Sequence, residues 1–200
     1  MAFTALDVKK LREMTNVGMM DCKKALEATD GDMDKAVDWL REKGLAKAAK
    51  KADRIAAEGV AYATVIDGVG VVIEVNSETD FAAKTDSFMD LVKNLATVVA
   101  TENPADVDAL KACKYPGSNL TVTEIMQEKV MSIGENMVIR RFDRFAENTS
   151  VAYVHAGGTH GVLVNLAVEG DIDATEIGKN VAMQIAAMKA QKDRRKDSNR

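Results

Sequence analysis

Cysteine, proline and aromatic residues are all scarce in this chain of 200 residues, and each shortage excludes something. Its two cysteines, Cys22 and Cys113, lie far apart and make neither a metal-ligand spacing nor a disulfide framework, so both read as reduced thiols. One Trp, three Tyr and five Phe leave few stacking platforms for single-stranded nucleic acid. No apolar run approaches the ~20 residues a membrane span needs. The start, "MAFTALDVKKLREM", lacks the apolar core of a signal peptide. A cytoplasmic protein with no membrane partner is expected. Neither sign of charge dominates: 27 Lys and Arg face 31 Asp and Glu, for a net charge of −4, so no direct nucleic-acid partner is expected.

Catalytic signatures are missing as well. No phosphate-binding glycine loop or dinucleotide fingerprint occurs, and no nucleophile–base or metal set is visible. The expectation is a protein without enzyme activity and without cofactors. His155 and His160, the two histidines, flank the turn "AGGT". They could meet across a hairpin mouth and bind a metal, or be ordinary surface residues on a turn.

What is present is a globular composition, 46% hydrophobic and 29% charged, with enough chain for one generous domain or two modest ones. Residues 1–45 read as three short helices. Thr4 can cap the first and Asp32 the third. Met33, Ala36, Val37 and Leu40 make a buried stripe at helical spacing, and Gly44 is placed as a C-terminal stop. Residues 46–58, centred on "LAKAAKKADRIAAEG", read as a helical linker carrying Lys47, Lys50, Lys51 and Arg54. Those cations are either a solvated face or a basic patch for an acidic surface or RNA. Met19 and Met20, at the start of the second helix, suit either the core or an adaptable partner contact.

From Val60 the period changes to strands. "VAYATVI" and "VGVVIEV" flank "DG", a hairpin signal. A helix from about Asp86 to Thr101 follows, with Phe88, Leu91, Val92 and Leu95 on one face. A second helix over 121–133 opens with a capping pattern from Thr121 to Glu124, and a long strand comes after it. The pattern then returns. "VAY" at 60–62 recurs at 151–153 and "GVVIEV" at 70–75 is echoed by "GVLVNL" at 161–166, both 91 residues on. "LVKNLA" at 91–96 matches "IGKNVA" at 177–182 with an offset of 86. The predicted fold is therefore α+β. A three-helix module and a helical linker precede a core at 59–190, made of two related hairpin-plus-helix subdomains with antiparallel sheet (about 59–145 and 146–190). Residues 191–200 form a basic tail without an apolar anchor, expected to be disordered.

The five-residue drop in offset falls between strand and helix, where the first copy reads "NSETDFAAK". A shorter connection in the second copy would mark Asp80 and Phe81 as an elaboration of the scaffold, and elaborated loops commonly carry function. The competing reading tucks Phe81 under the following helix as a satellite core residue and makes Asp80 its cap.

Four motifs, "KKLREMTNVGMMDCKKAL", "AAKKADRIAAEG", "VIEVNSETDFAAKT" and "IGENMVIRRFDRF", together resemble the elongation factor Ts family, in sequence, order and spacing. The resemblance runs from about residue 5 to 188. It implies a guanine-nucleotide exchange factor of elongation factor Tu, with a ubiquitin-associated-like helical module ahead of two related subdomains. It also implies that Thr79, Asp80, Phe81 and Ala82 form a loop that enters the partner GTPase near its Mg²⁺. The aromatic ring would wedge between helices, promoting GDP release so that GTP can bind. Partner contacts implied in the same way are Lys9, Arg12, Met19 and Met20 on the module, Ile133, Gly134, Glu135 and Asn136, and His155.

This chain departs from the family pattern in places. Ala82 stands where valine is usual, "AGGTH" lacks an arginine, and after "NVAMQIAAM" the sequence becomes basic where the family continues into a helical hairpin. A partner surface altered in that region is expected. The competing function is a ribosome- or RNA-associated protein using the basic linker and tail.

Overall fold

The computed structural model describes residues 3–188. The chain runs α1 (Ala5–Thr15), α2 (Met19–Ala28), α3 (Met33–Lys51), β1 (Glu58–Ile66), β2 (Val69–Ser77), α4 (Asp80–Ala83) and α5 (Asp86–Glu102). It continues with α6 (Val107–Ala112), α7 (Val122–Ile133), β3 (Met137–Phe145), β4 (Thr149–His155), a 3-10 turn (Ala156–Gly158), β5 (His160–Leu166) and α8 (Thr175–Ala187). The fold is α+β with antiparallel sheets, as expected. Among the described residues no helix is long and apolar enough to cross a membrane.

Local capping rules set the first helices. Thr4 and Asp7 form a reciprocal capping box at α1, and the Asp32 carboxylate accepts the Lys35 N–H at 3.0 Å to open α3. Leu11, Cys22, Ala25, Leu26 and Ala36 are fully buried where the three helices meet, and Met131 of α7 joins their cluster. Burial pushes the Cys22 thiol pKa up, and both cysteines are free.

Gly44 does not end the helix. α3 runs on to Lys51 because Gly44 is buried against α7, where a Cβ would stand 3.5 Å from the Gln127 carbonyl oxygen and 3.6 Å from Met131 Sδ. A glycine inside a helix costs only about 1 kcal/mol relative to alanine, and the alanine-rich stretch after it favours continuation. The segment read as a linker is thus helical only to Lys51.

β1 and β2 form the expected hairpin, turning through Asp67 and Gly68 at φ 48° and 82°. β3 adds to the far side of β2, giving the order β1-β2-β3, with a register break between Glu74 and Val75. α5 covers this sheet with the fully buried Phe88, Leu91, Val92 and Leu95. In the second copy β4 and β5 pair and α8 packs on them, so the repeat is β1-β2-α5 against β4-β5-α8. Among the described residues β3 has no counterpart there.

The two hairpins pack on one another through equivalent glycines. A Cβ at Gly161 would lie 2.8 Å from the Ala61 carbonyl, and one at Gly70 would lie 2.4 Å from Ser150 Oγ. Gly70 and Gly161 open the two repeated "GV" motifs, each as the second residue of its strand, and each approaches the first strand of the other hairpin.

Candidate docking site

Thr79 leaves β2 in an extended conformation and caps α4, its Oγ1 accepting the Ala82 N–H at 3.3 Å. Asp80 is therefore not the cap. It is the first helical residue, and its carboxylate accepts Lys84 Nζ at 2.6 Å. That hydrogen bond from Lys84 is the main reason the Asp80 pKa lies below the usual carboxylate range.

Phe81 is 79% exposed, so the satellite-core reading is wrong. Phe88 of α5 and Ala83 of α4 belong to the buried core instead, and Ala82 is buried as well. Ala82, where the resemblance expects valine, faces inward.

The five-residue difference between the repeats does not lie where it was expected. β2 runs two residues past the position equivalent to the end of β5, and α5 starts three residues earlier than α8 relative to the matched helix motif. Both connections, 78–85 and 167–174, then span eight residues. What sets the first apart is its capped turn and exposed aromatic ring, not extra length.

The turn at residues 133–136 is fastened to this loop. Glu135 accepts the Thr79 N–H at 3.0 Å and the Thr79 hydroxyl at 2.6 Å. Glu78 accepts the Asn136 N–H at 2.6 Å and reaches the Arg54 guanidinium at 3.5 Å. The Asn136 side-chain amide donates to the carbonyls of Arg54 at 2.8 Å and Ala52 at 3.3 Å. Asn136 is buried, Ile133 and Glu135 are half-buried, and Gly134 is exposed. Sequence reasoning placed Arg54 only among the cations of the basic segment and gave Glu78 no role of its own, because their partners lie in distant segments. It also missed Ile55, 84% exposed beside Arg54.

Lys9, Arg12, Met19 and Met20 lie elsewhere, on the helical module. Lys9 pairs with Glu13 at 3.8 Å, Arg12 is exposed, and the two methionines are 43% and 65% exposed. The core reading of Met19 and Met20 is thereby corrected, since Cys22, Ala25 and Leu26 supply the inner face of α2. His155 is exposed at the end of β4, with its Nδ1 3.0 Å from the Tyr153 hydroxyl and its ring 6.1 Å from that of His160. Among the described residues no three His, Cys, Asp or Glu side chains are grouped to hold a metal. The basic segment is partly engaged within the molecule. Lys47 pairs with Asp21 at 2.8 Å, Lys51 donates to the Gly134 carbonyl, and Arg54 reaches Glu78. The tail at 191–200 lies outside the described residues.

The folded α+β scaffold thus fastens a short turn from behind and leaves its aromatic ring in solvent. The comparisons with known proteins sharpen this. The family described as Elongation factor TS matches residues 78–198. A protein named Elongation factor Ts from Magnetococcus marinus is 48% identical over 190 residues, covering 94% of this chain and 63% of that protein. Its namesake from Bartonella tribocorum is 48% identical over 195 residues, with the same coverage. The chain belongs to the elongation factor Ts family. It spans about 63% of the length of these relatives.

Proposed function

We propose that this chain binds elongation factor Tu in its GDP form and promotes GDP release, so that GTP can take its place. The observation that carries the reading is the exposure of Phe81 on a turn fastened from behind. Burying a Phe side chain in a partner contributes about 1.5–3 kcal/mol, available to stabilise a GTPase conformation that holds nucleotide poorly. Asp80 offers an anionic carboxylate next to that ring. Released from Lys84, it can disturb the partner's Mg²⁺ site, which neutralises the nucleotide phosphates. Exchange then follows from linkage: a factor that prefers the nucleotide-free GTPase weakens GDP binding by the same factor that GDP weakens its own. Arg12, Met19, Met20 and His155 supply further exposed contacts away from the loop.

The test loads elongation factor Tu with fluorescent GDP and follows its release with and without the chain. Acceleration that saturates with chain concentration is the expected result. No acceleration by folded chain overturns the reading. Salt-steep RNA binding alongside that failure would favour the RNA-associated alternative.

A further inference from the structure

Thr79 and Glu135 are distant in sequence, yet one carboxylate takes both hydrogens that Thr79 can donate, the backbone N–H at 3.0 Å and the hydroxyl at 2.6 Å. The hydroxyl oxygen still accepts from the Ala82 N–H. The neighbouring residues return the exchange, because Glu78 accepts the Asn136 N–H at 2.6 Å. Two carboxylates and two backbone N–H groups are thus swapped between the segment 78–79 and the turn 135–136. Such charge-assisted bonds are the strong kind. They are needed, because α4 has only four residues and so short a helix cannot hold itself in water.

We propose that Glu135 is a positioning residue: it acts through Thr79 to lock the cap of α4, so that Phe81 stands outside the fold before any partner arrives. Its carboxylate is engaged inside the molecule and is not needed as a contact. A turn left unfastened would sample other conformations, and the ring would have to be ordered at each encounter, a cost that pre-organisation removes. The fastening extends further, since Asn136 also holds the carbonyls of Ala52 and Arg54, just past the end of α3. The inference rests on reading Thr79–Ala82 as the docking turn.

The test uses the full chain with Glu135→Ala, Glu135→Gln, Thr79→Val and Thr79→Ser. In the free protein, Glu135→Ala should speed amide hydrogen exchange at Thr79, Ala83 and Lys84 by on the order of tenfold, as expected when charge-assisted bonds are lost. The amides of α5 should be unaffected. Glu135→Gln keeps one acceptor oxygen and should fall between Glu135→Ala and wild type. In the GDP-release assay at saturating chain, Glu135→Ala should slow release, and Thr79→Val should slow it less in that background than it does in wild type, the remainder being the Ala82 cap that the hydroxyl also makes. Thr79→Ser keeps the hydroxyl, so in the free chain its amide exchange at Ala83 and Lys84 should stay closer to wild type than that of Thr79→Val.

Unchanged amide exchange in Glu135→Ala overturns the proposal. So do fully multiplicative losses in the double variant, which would make Glu135 a direct contact. If wild type releases no GDP, the docking reading fails, while the amide-exchange measurement still decides whether Glu135 positions the turn.

Discussion

Phe81 and Phe88 sit on the successive helices α4 and α5, one 79% exposed and the other fully buried. The two rings therefore make opposite contributions to the free protein. Phe88→Ala would open a cavity under the sheet and cost about 3–5 kcal/mol. Phe81→Ala should change stability by no more than about 0.5 kcal/mol, as surface substitutions do. It should nonetheless slow GDP release from elongation factor Tu. Thermal melts of the two variants beside the release assay check this. A large fall in Tm for Phe81→Ala would return the ring to the core.

Asp80 should matter most when the partner's Mg²⁺ site is filled. In the free chain the Lys84 hydrogen bond holds its pKa below the ordinary carboxylate range, and an aspartate released from that bond is still ionised at neutral pH. Its contribution to exchange should therefore be flat between about pH 6 and 8. Asp80→Ala should lose most activity at high Mg²⁺. Equal losses with and without Mg²⁺ would argue against a role at the metal.

Gly44 offers a stability test of the α3–α7 contact. A Cβ there meets its neighbours at 3.5 Å and beyond, which is ordinary contact. Gly44→Ala should fit and raise stability by about 0.5–1 kcal/mol through the loss of unfolded-state freedom. Denaturant melts would show it. A destabilised Gly44→Ala would mean that α3 and α7 approach more closely.

Features set by near neighbours were legible in the sequence. Thr4, Asp32 and Thr121 cap where the local pattern places them, and the α5 stripe is buried as its period implies. Gly44 was misread because a helix stop is a local signal that the packing of α7 overrides. The repeat offset correctly located five extra residues but could not say which element absorbs them; β2 and α5 lengthen instead of the loop. The carboxylate exchange of Glu78 and Glu135 has no local signature at all, since each partner is more than fifty residues away.

Gly161 should respond in the opposite sense to Gly44. Its Cβ would stand 2.8 Å from backbone atoms of Ala61, and a strand backbone cannot yield as a flexible side chain can. Gly161→Ala should cost about 1–3 kcal/mol and loosen the contact between the two hairpins. Equilibrium unfolding measures the loss. A neutral substitution would show that the hairpins can slide apart without penalty.

Lys129 of α7 gives a pH dependence whose sign can be worked out. Its ammonium is half-buried and donates to Ser87 Oγ at 2.9 Å. Burial lowers its pKa, against the raising influence of Asp90 and Glu128. The folded protein thus disfavours the charged form. At neutral pH the lysine is charged in both folded and unfolded chains, and the cost of burying that charge is present. As pH rises from the lowered value toward the ordinary lysine value of about 10.4, the unfolded chain binds more protons than the folded one, and stability grows. Lys129→Met keeps the stem and removes the charge, so it should be at least as stable as wild type near pH 7. Its advantage should shrink as pH approaches about 10. Urea melts at the two pH values test this. A wild type that is more stable at neutral pH, with a lead that shrinks in alkali, would mean that Asp90, Glu128 and Ser87 outweigh burial and raise the lysine's pKa.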